Sequence, residues 1–167
     1  MGYCDYSYAS QLLREVILRR VIAIAVIAGV VIAACSPAHQ NHEPAWSVQL
    51  KRHVKSAASA GEVATLLSQA LYDGDKKAAG QIATSLKDIA LRGLETDPPA
   101  HECLTDILSV EAEYYGALKR ASTITTRSIM TLDWEPLILA GENLLLAEEL
   151  SMTYSQLVAG LDPAACS

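Results

Sequence analysis

The chain has 167 residues, no phenylalanine and a formal net charge of −6. Nucleic-acid binding is disfavoured, because an acidic chain repels phosphate backbones and no basic cluster exceeds Lys51 and Arg52 with Lys55. Plentiful alanine and leucine favour helices and give β-strands little to build on.

An uncharged, mostly branched run fills residues 21–34, directly after Arg19 and Arg20. At about 1.5 Å per residue it reaches roughly 21 Å, short of a hydrocarbon core about 30 Å thick. Extending it backwards draws both arginines towards the bilayer, at about 2.5 to 3.5 kcal/mol each if they reach its centre. A positive segment, a short apolar segment and small residues before a cut read as a secretory signal rather than a permanent span. Ile32, Ala33, Ala34 and Cys35 close the segment. This tetrad resembles the lipobox of bacterial lipoproteins, in which an aliphatic residue, two small residues and a cysteine mark the site of lipid attachment and cleavage. The resemblance covers residues 1–35. It implies that Cys35 receives a diacylglycerol thioether, that the signal peptide 1–34 is removed, and that Cys35 becomes the acylated N-terminus. Several acyl chains, at about 0.8 kcal/mol per buried CH₂, would hold such a protein to a membrane. The expected place is the extracytoplasmic side of the cell membrane or outer membrane. The twenty residues before the apolar run are long for such a signal, and they carry Tyr3, Cys4, Tyr6 and Tyr8, which export does not require.

Cleavage there leaves 133 residues with 10 basic and 17 acidic side chains, a net charge of −7 and about one domain. Residues 35–45 read as a lipidated N-terminus and tether, polar and carrying Pro37 and Pro44. His39, His42 and Glu43 are of the types that bind zinc, but a solvated linker accounts for them.

Residues 46–167 read as a helical bundle domain. Trp46, Leu50, Val54 and Ala57 or Ala58 start a stripe at helical spacing, and Val63, Leu66, Leu67, Ala70 and Leu71 resume it, with a kink expected near Gly61. Asp73, Gly74 and Asp75 stop this first helix at 46–72, with a left-handed glycine and an aspartate to cap the next. The second helix, 75–95, carries Ala79, Ile82, Ala83, Leu86, Ile89, Ala90 and Leu94 on one side and ends before Pro98 and Pro99. The short turn makes the two an antiparallel hairpin. A third helix, 100–131, carries Leu104, Leu108, Tyr115, Leu118 and Thr125, with its continuity weakened by the threonines from Thr123 to Thr126. Asp133, Glu135 and Pro136 form a helix start. The fourth helix, 134–160, aligns Leu137, Ala140, Leu144, Ala147 and Tyr154, while Ile138, Leu139, Leu145, Leu146 and Leu150 widen its apolar face. On that width it is expected to be the most buried of the four.

Cys103 and Cys166 stand 30 residues before and 33 residues after Asp133. An antiparallel pairing of the third and fourth helices brings them to one end of the bundle. In an oxidising compartment they are expected to form a disulfide worth about 2 to 4 kcal/mol.

Catalytic equipment is thin. His53 sits beside Lys51, Arg52 and Lys55 on what reads as a solvent face. His101, next to Glu102 and Cys103, suggests an activated thiol, but the disulfide competes for the same sulfur. Glu111, Glu113, Glu142, Glu148 and Glu149 read as solvated helix faces without histidine partners, and Tyr114, Tyr115 and Tyr154 as core packing. No catalytic residue, metal site or cofactor is assigned. The fold class is all-α, an antiparallel bundle of four helices behind a signal peptide and tether. In composition it resembles small, alanine-rich helical lipoproteins, a likeness that brings no site residues. The expected role is a non-enzymatic module, held to the membrane through lipid on Cys35, that binds an envelope protein. The alternative is a carrier holding a lipid or other small hydrophobic ligand inside the bundle.

Overall fold

Four long helices account for most of the residues that the computed structural model describes, which are 44–99, 101–131, 133 and 135–166. They are α1 (Ala45–Tyr72), α2 (Lys76–Glu95), α3 (Thr105–Thr131) and α4 (Pro136–Ala159), with short 3₁₀ turns at Glu102–Leu104 and Pro163–Cys166. Each helix packs most closely on the next in sequence, and α1 also meets α4, so the chain closes an all-α four-helix bundle. All of it lies within the compact unit Glu43–Ser167. The expected signal peptide, the lipidation site Cys35 and residues 36–43 of the tether, with His39 and His42, lie outside the described residues, whereas Ala45, expected in the tether, is the first residue of α1.

The turn between α1 and α2 is built as its sequence dictates. Asp73 N–H donates to the Gln69 carbonyl at 2.9 Å, and Gly74 takes φ +70°, the left-handed conformation that a side chain would strain. The Asp75 carboxylate then accepts the Ala78 N–H at 2.9 Å and caps α2. α1 continues as one helix through Gly61, where a Cβ would stand 3.4 Å from the Tyr114 hydroxyl.

The start of α3 comes five residues later than the sequence suggests. His101 accepts the Cys103 N–H on its own side chain, and the Thr105 hydroxyl donates to the Glu102 carbonyl at 2.8 Å, so one tight 3₁₀ turn precedes the helix. The threonines do not break α3, which runs unbroken through them on its buried residues; Thr125, Thr126 and Thr131 each donate their hydroxyl to the carbonyl four residues back. The α4 start also shifts: Asp133 accepts the Glu135 N–H at 3.3 Å, and Pro136 is the first helical residue.

Small residues set how closely the helices approach. Ala60, Ala83, Ala90, Ala117, Ala121 and Ala140 have no solvent exposure, and larger Leu67, Leu86, Leu118 and Tyr115 interlock between them. At Gly93 of α2 a Cβ would stand 2.5 Å from the Tyr115 ring, so the ring packs directly over the bare backbone there. Contrary to the sequence reading, α4 is not the most buried helix. That place belongs to α3, which buries ten residues from Ile107 to Ser128, whereas α4 buries Ala140, Ala147 and Tyr154. One stripe of a helix is all that a bundle corner covers, so Ile138, Leu139, Leu145 and Leu146 of the widened α4 face turn outward, while Leu150 packs against the core.

Candidate functional site

Two regions depart from the apolar-inside, polar-outside pattern, and the disulfide end forms a third feature. The first region is a polar layer in the core. His53 lies three residues after Leu50 and four before Ala57, so helical periodicity carries it inward with them. Glu111 likewise lies four after Ile107 and three before Tyr114 on the buried side of α3. Across the bundle, His53 Nδ1 and Glu111 Oε2 share a hydrogen bond of 2.8 Å, with the two residues 7% and 5% exposed. This corrects both sequence assignments: His53 is not on a solvent face, and Glu111 has a histidine partner.

Three tyrosines enclose the pair. The Tyr114 hydroxyl donates to the Ala57 carbonyl at 3.1 Å, linking α3 to α1 a turn beyond His53. Its ring tilts against Tyr115 with centroids 5.3 Å apart. Glu111 Oε1 and the Tyr154 hydroxyl are buried without a hydrogen-bond partner among the described residues. The Tyr115 hydroxyl forms no well-aligned bond either, although the Ser56 hydroxyl is near enough to lower its pKa. Burial pushes the Glu111 carboxyl above its usual range, a desolvation that outweighs the hydrogen bond and charge of His53. Burial also raises Tyr114 and Tyr154, and the Glu111 charge adds to the rise at Tyr154 and Tyr115. All three phenols are therefore neutral at physiological pH. The layer joins α1 to α3 through the His53–Glu111 hydrogen bond.

The second region is the outward face of α4. Ile138, Leu145 and Met152 recur every seven residues, and Leu139 and Leu146 repeat one position later. At about 100° per residue they form two apolar rows that flank Glu142, Glu149 and Gln156. All five apolar residues are exposed, Ile138 at 62% and Leu139 at 52%. Met130, at the end of α3, is 80% exposed. Behind this face, Arg120 Nε donates to Asn143 Oδ1 at 2.8 Å, and the Asn143 amide to the Leu139 carbonyl, which fixes α4 on α3. Single exposed apolar residues are ordinary, but two rows with a heptad period are not.

The third feature is the end where α3 begins and the chain closes. Cys103 and Cys166 form a disulfide with Cα atoms 5.7 Å apart, as the hairpin pairing predicts. It closes a segment with a sequence separation of 63 and joins the two 3₁₀ turns. His101 stands over it, with its ring against Trp46 at 6.0 Å.

No family model matches the chain, and neither the curated proteins nor the solved structures include a match. No role is thus borrowed, and the reading rests on the residues themselves. Among the described residues no helix is long and apolar enough to cross a membrane. The tyrosines and the disulfide follow the sequence reading. The His53–Glu111 pair was missed although its signal was present, since both residues sit in register with buried neighbours. The local basic cluster around His53 masked that periodicity.

Proposed function

We propose that the protein is an exported lipoprotein, anchored through lipid on Cys35 at the extracytoplasmic face of a membrane, whose bundle is a non-enzymatic docking module for a neighbouring envelope protein. The observation that carries the docking reading is the pair of exposed apolar rows on α4. Heptad periodicity is the pattern with which one helix receives another, and Glu142 and Glu149 between the rows select a partner helix with lysine or arginine beside its apolar stripe. The same two carboxylates oppose pairing with a second copy of α4, which would bring like charges together. Anchoring is supported by the lipobox-like Ile32, Ala33, Ala34 and Cys35, by the acidic balance of the bundle and by the disulfide, a bond that persists in oxidising compartments. The carrier alternative finds less support. The interior is lined largely by alanines at close helix approach, and the Tyr115 ring fills the space that Gly93 leaves.

A photocrosslinking residue placed at Leu145 in living cells tests the docking face. The expected result is one discrete protein adduct, absent when the crosslinker stands at exposed Gln81 of α2 and lost on Glu142→Lys. Equal adducts from both positions would overturn the docking face, an adduct with a second copy would replace it by self-association, and extracted lipid without a protein would favour the carrier. Anchoring is tested separately by incorporation of labelled fatty acid, which Cys35→Ala should abolish.

A further inference from the structure

Cysteine and histidine are the side chains that hold zinc, and the disulfide end gathers three of them. One ligand atom from each of His101, Cys103 and Cys166 lies within 4.8 Å of the others. Two elements converge to place them: the 3₁₀ turn before α3 carries Cys103 with His101 at its cap, and the closing 3₁₀ turn carries Cys166. While the sulfurs are bonded to each other they are not ligands. Once they are thiolates, zinc at about 2.3 Å from each would hold them roughly 3.8 Å apart, a small separation for cysteines whose Cα atoms are 5.7 Å apart.

The histidine is held close to the sulfurs by its own turn. His101 Nδ1 accepts the Cys103 backbone N–H at a long 3.4 Å, so in this tautomer the proton is on Nε2. That weak contact is easily given up if the ring reorients towards a metal. The Trp46 ring lies beside the imidazole, with centroids 6.0 Å apart. Cys166 is 3% exposed, whereas His101 and Cys103 are half-buried, so a metal would enter from their side.

We propose that His101, Cys103 and Cys166 form a redox-gated zinc site that replaces the disulfide when the protein is reduced. A dithiol reductant delivers two electrons and two protons to the disulfide, is itself oxidised to a disulfide, and leaves two thiols. Zn²⁺ then displaces both thiol protons to solvent and binds two sulfurs and the imidazole, with water completing a tetrahedron. Oxidation reverses the sequence and expels the metal. In either state the start of α3 stays fastened to the end of the chain, by a covalent bond or by a metal. The site is independent of the α4 face and of the anchor.

The test uses the full chain in detergent, reduced with a phosphine and freed of metal, then titrated with Co²⁺ and Zn²⁺. One equivalent of Co²⁺ is expected, with thiolate charge-transfer bands and the intense visible bands of a tetrahedral site, displaced by one equivalent of Zn²⁺. The oxidised chain should bind neither at the same concentrations. His101→Ala should weaken zinc binding about tenfold or more, since loss of mere outer-shell partners costs about 10 to 100-fold. Zinc should also raise the melting temperature of the reduced wild type, which metal captured by unfolded chain would not do. Cys103→Ser combined with Cys166→Ser keeps Cys4, Cys35 and His101, and should lose the cobalt bands. Equal binding by that double variant, unchanged affinity in His101→Ala, or no thermal gain from zinc would each overturn the proposal.

Discussion

The polar layer between α1 and α3 and the outer face of α4 invert each other. The first puts a histidine and a carboxylate where alanine and leucine surround them, and the second puts leucine and isoleucine where water surrounds them. Both cost stability, and for different reasons. A buried ionisable pair gives up hydration that its mutual attraction only partly returns, while an exposed apolar row simply forgoes burial. The inner inversion is closed by the His53–Glu111 hydrogen bond across the bundle, although Glu111 Oε1 and the Tyr154 hydroxyl have no partner among the described residues. The outer one is open, and it is the face on which the proposed docking rests.

The largest effect should come from breaking the closed inversion on one side. His53→Ala leaves Glu111 buried without its partner, and the expected loss is about 3 kcal/mol, the lower end of the range for such breaks, because the carboxyl can take up a proton. Urea unfolding of the bundle measures it. Replacing both groups, His53→Leu with Glu111→Leu, should restore stability or exceed the wild type by about 1 kcal/mol or more. A double variant as unstable as the single would mean that the pair stabilises the fold outright.

Next comes the packing that holds the layer shut. Gly93→Ala places a methyl group 2.5 Å from the Tyr115 ring carbons, inside any real contact distance. Helix propensity favours alanine by about 1 kcal/mol, but displacing a buried ring costs about 1 to 3 kcal/mol, so a net loss is expected. A rise in melting temperature would show that Tyr115 moves freely and that the layer is loosely packed.

The third effect is a slope rather than an offset. Burial raises the Glu111 pKa in the folded state, so the folded chain holds that proton more tightly than the unfolded chain does. Its contribution to stability is complete below the unfolded carboxyl pKa, about 4.3, and is lost as pH rises through the higher folded value. Glu111→Gln keeps the shape and cannot titrate. Melting curves from pH 4 to 8 should fall less steeply in the variant, with the two proteins closest at the acid end. Matching slopes would place the Glu111 proton outside the folding equilibrium.

Periodicity carried much of this architecture into view before any coordinates. The four helices in their order, the Asp73 to Asp75 turn and the Cys103–Cys166 bond follow from spacing and capping residues, whereas α3 begins at Thr105 instead of 100 and α4 at Pro136 instead of 134. What escaped was orientation where residue type and position disagree. The charged neighbours of His53 point to a solvent face while its register with Leu50 and Ala57 points inward, and the apolar residues around α4 point to burial on sides that the bundle leaves open. A local pattern reveals that a helix has two apolar sides. It does not reveal which side its three neighbours cover, because that depends on how far each of the other helices extends its own stripe.

The smallest stability effect is expected at the open inversion. Leu145→Ser with Leu146→Ser removes two large side chains that are 37% and 40% exposed, and serine at these positions meets water and not the core. The stability change should stay within about 0.5 kcal/mol for each site, as for surface positions free of special contacts. The same double variant should lose the adduct captured from position 138 or 152 in cells. Paired with His53→Ala, this divides the two regions by readout: the layer moves the unfolding curve, and the α4 face moves the partner. Should the serine variant instead lose several kcal/mol, its leucines must be covered in the folded protein, and only self-association through α4 would cover them without a partner. Sedimentation of the wild type would then show a dimer that the serine variant lacks, and the charge opposition between Glu142 and Glu149 would have to be relieved in that dimer.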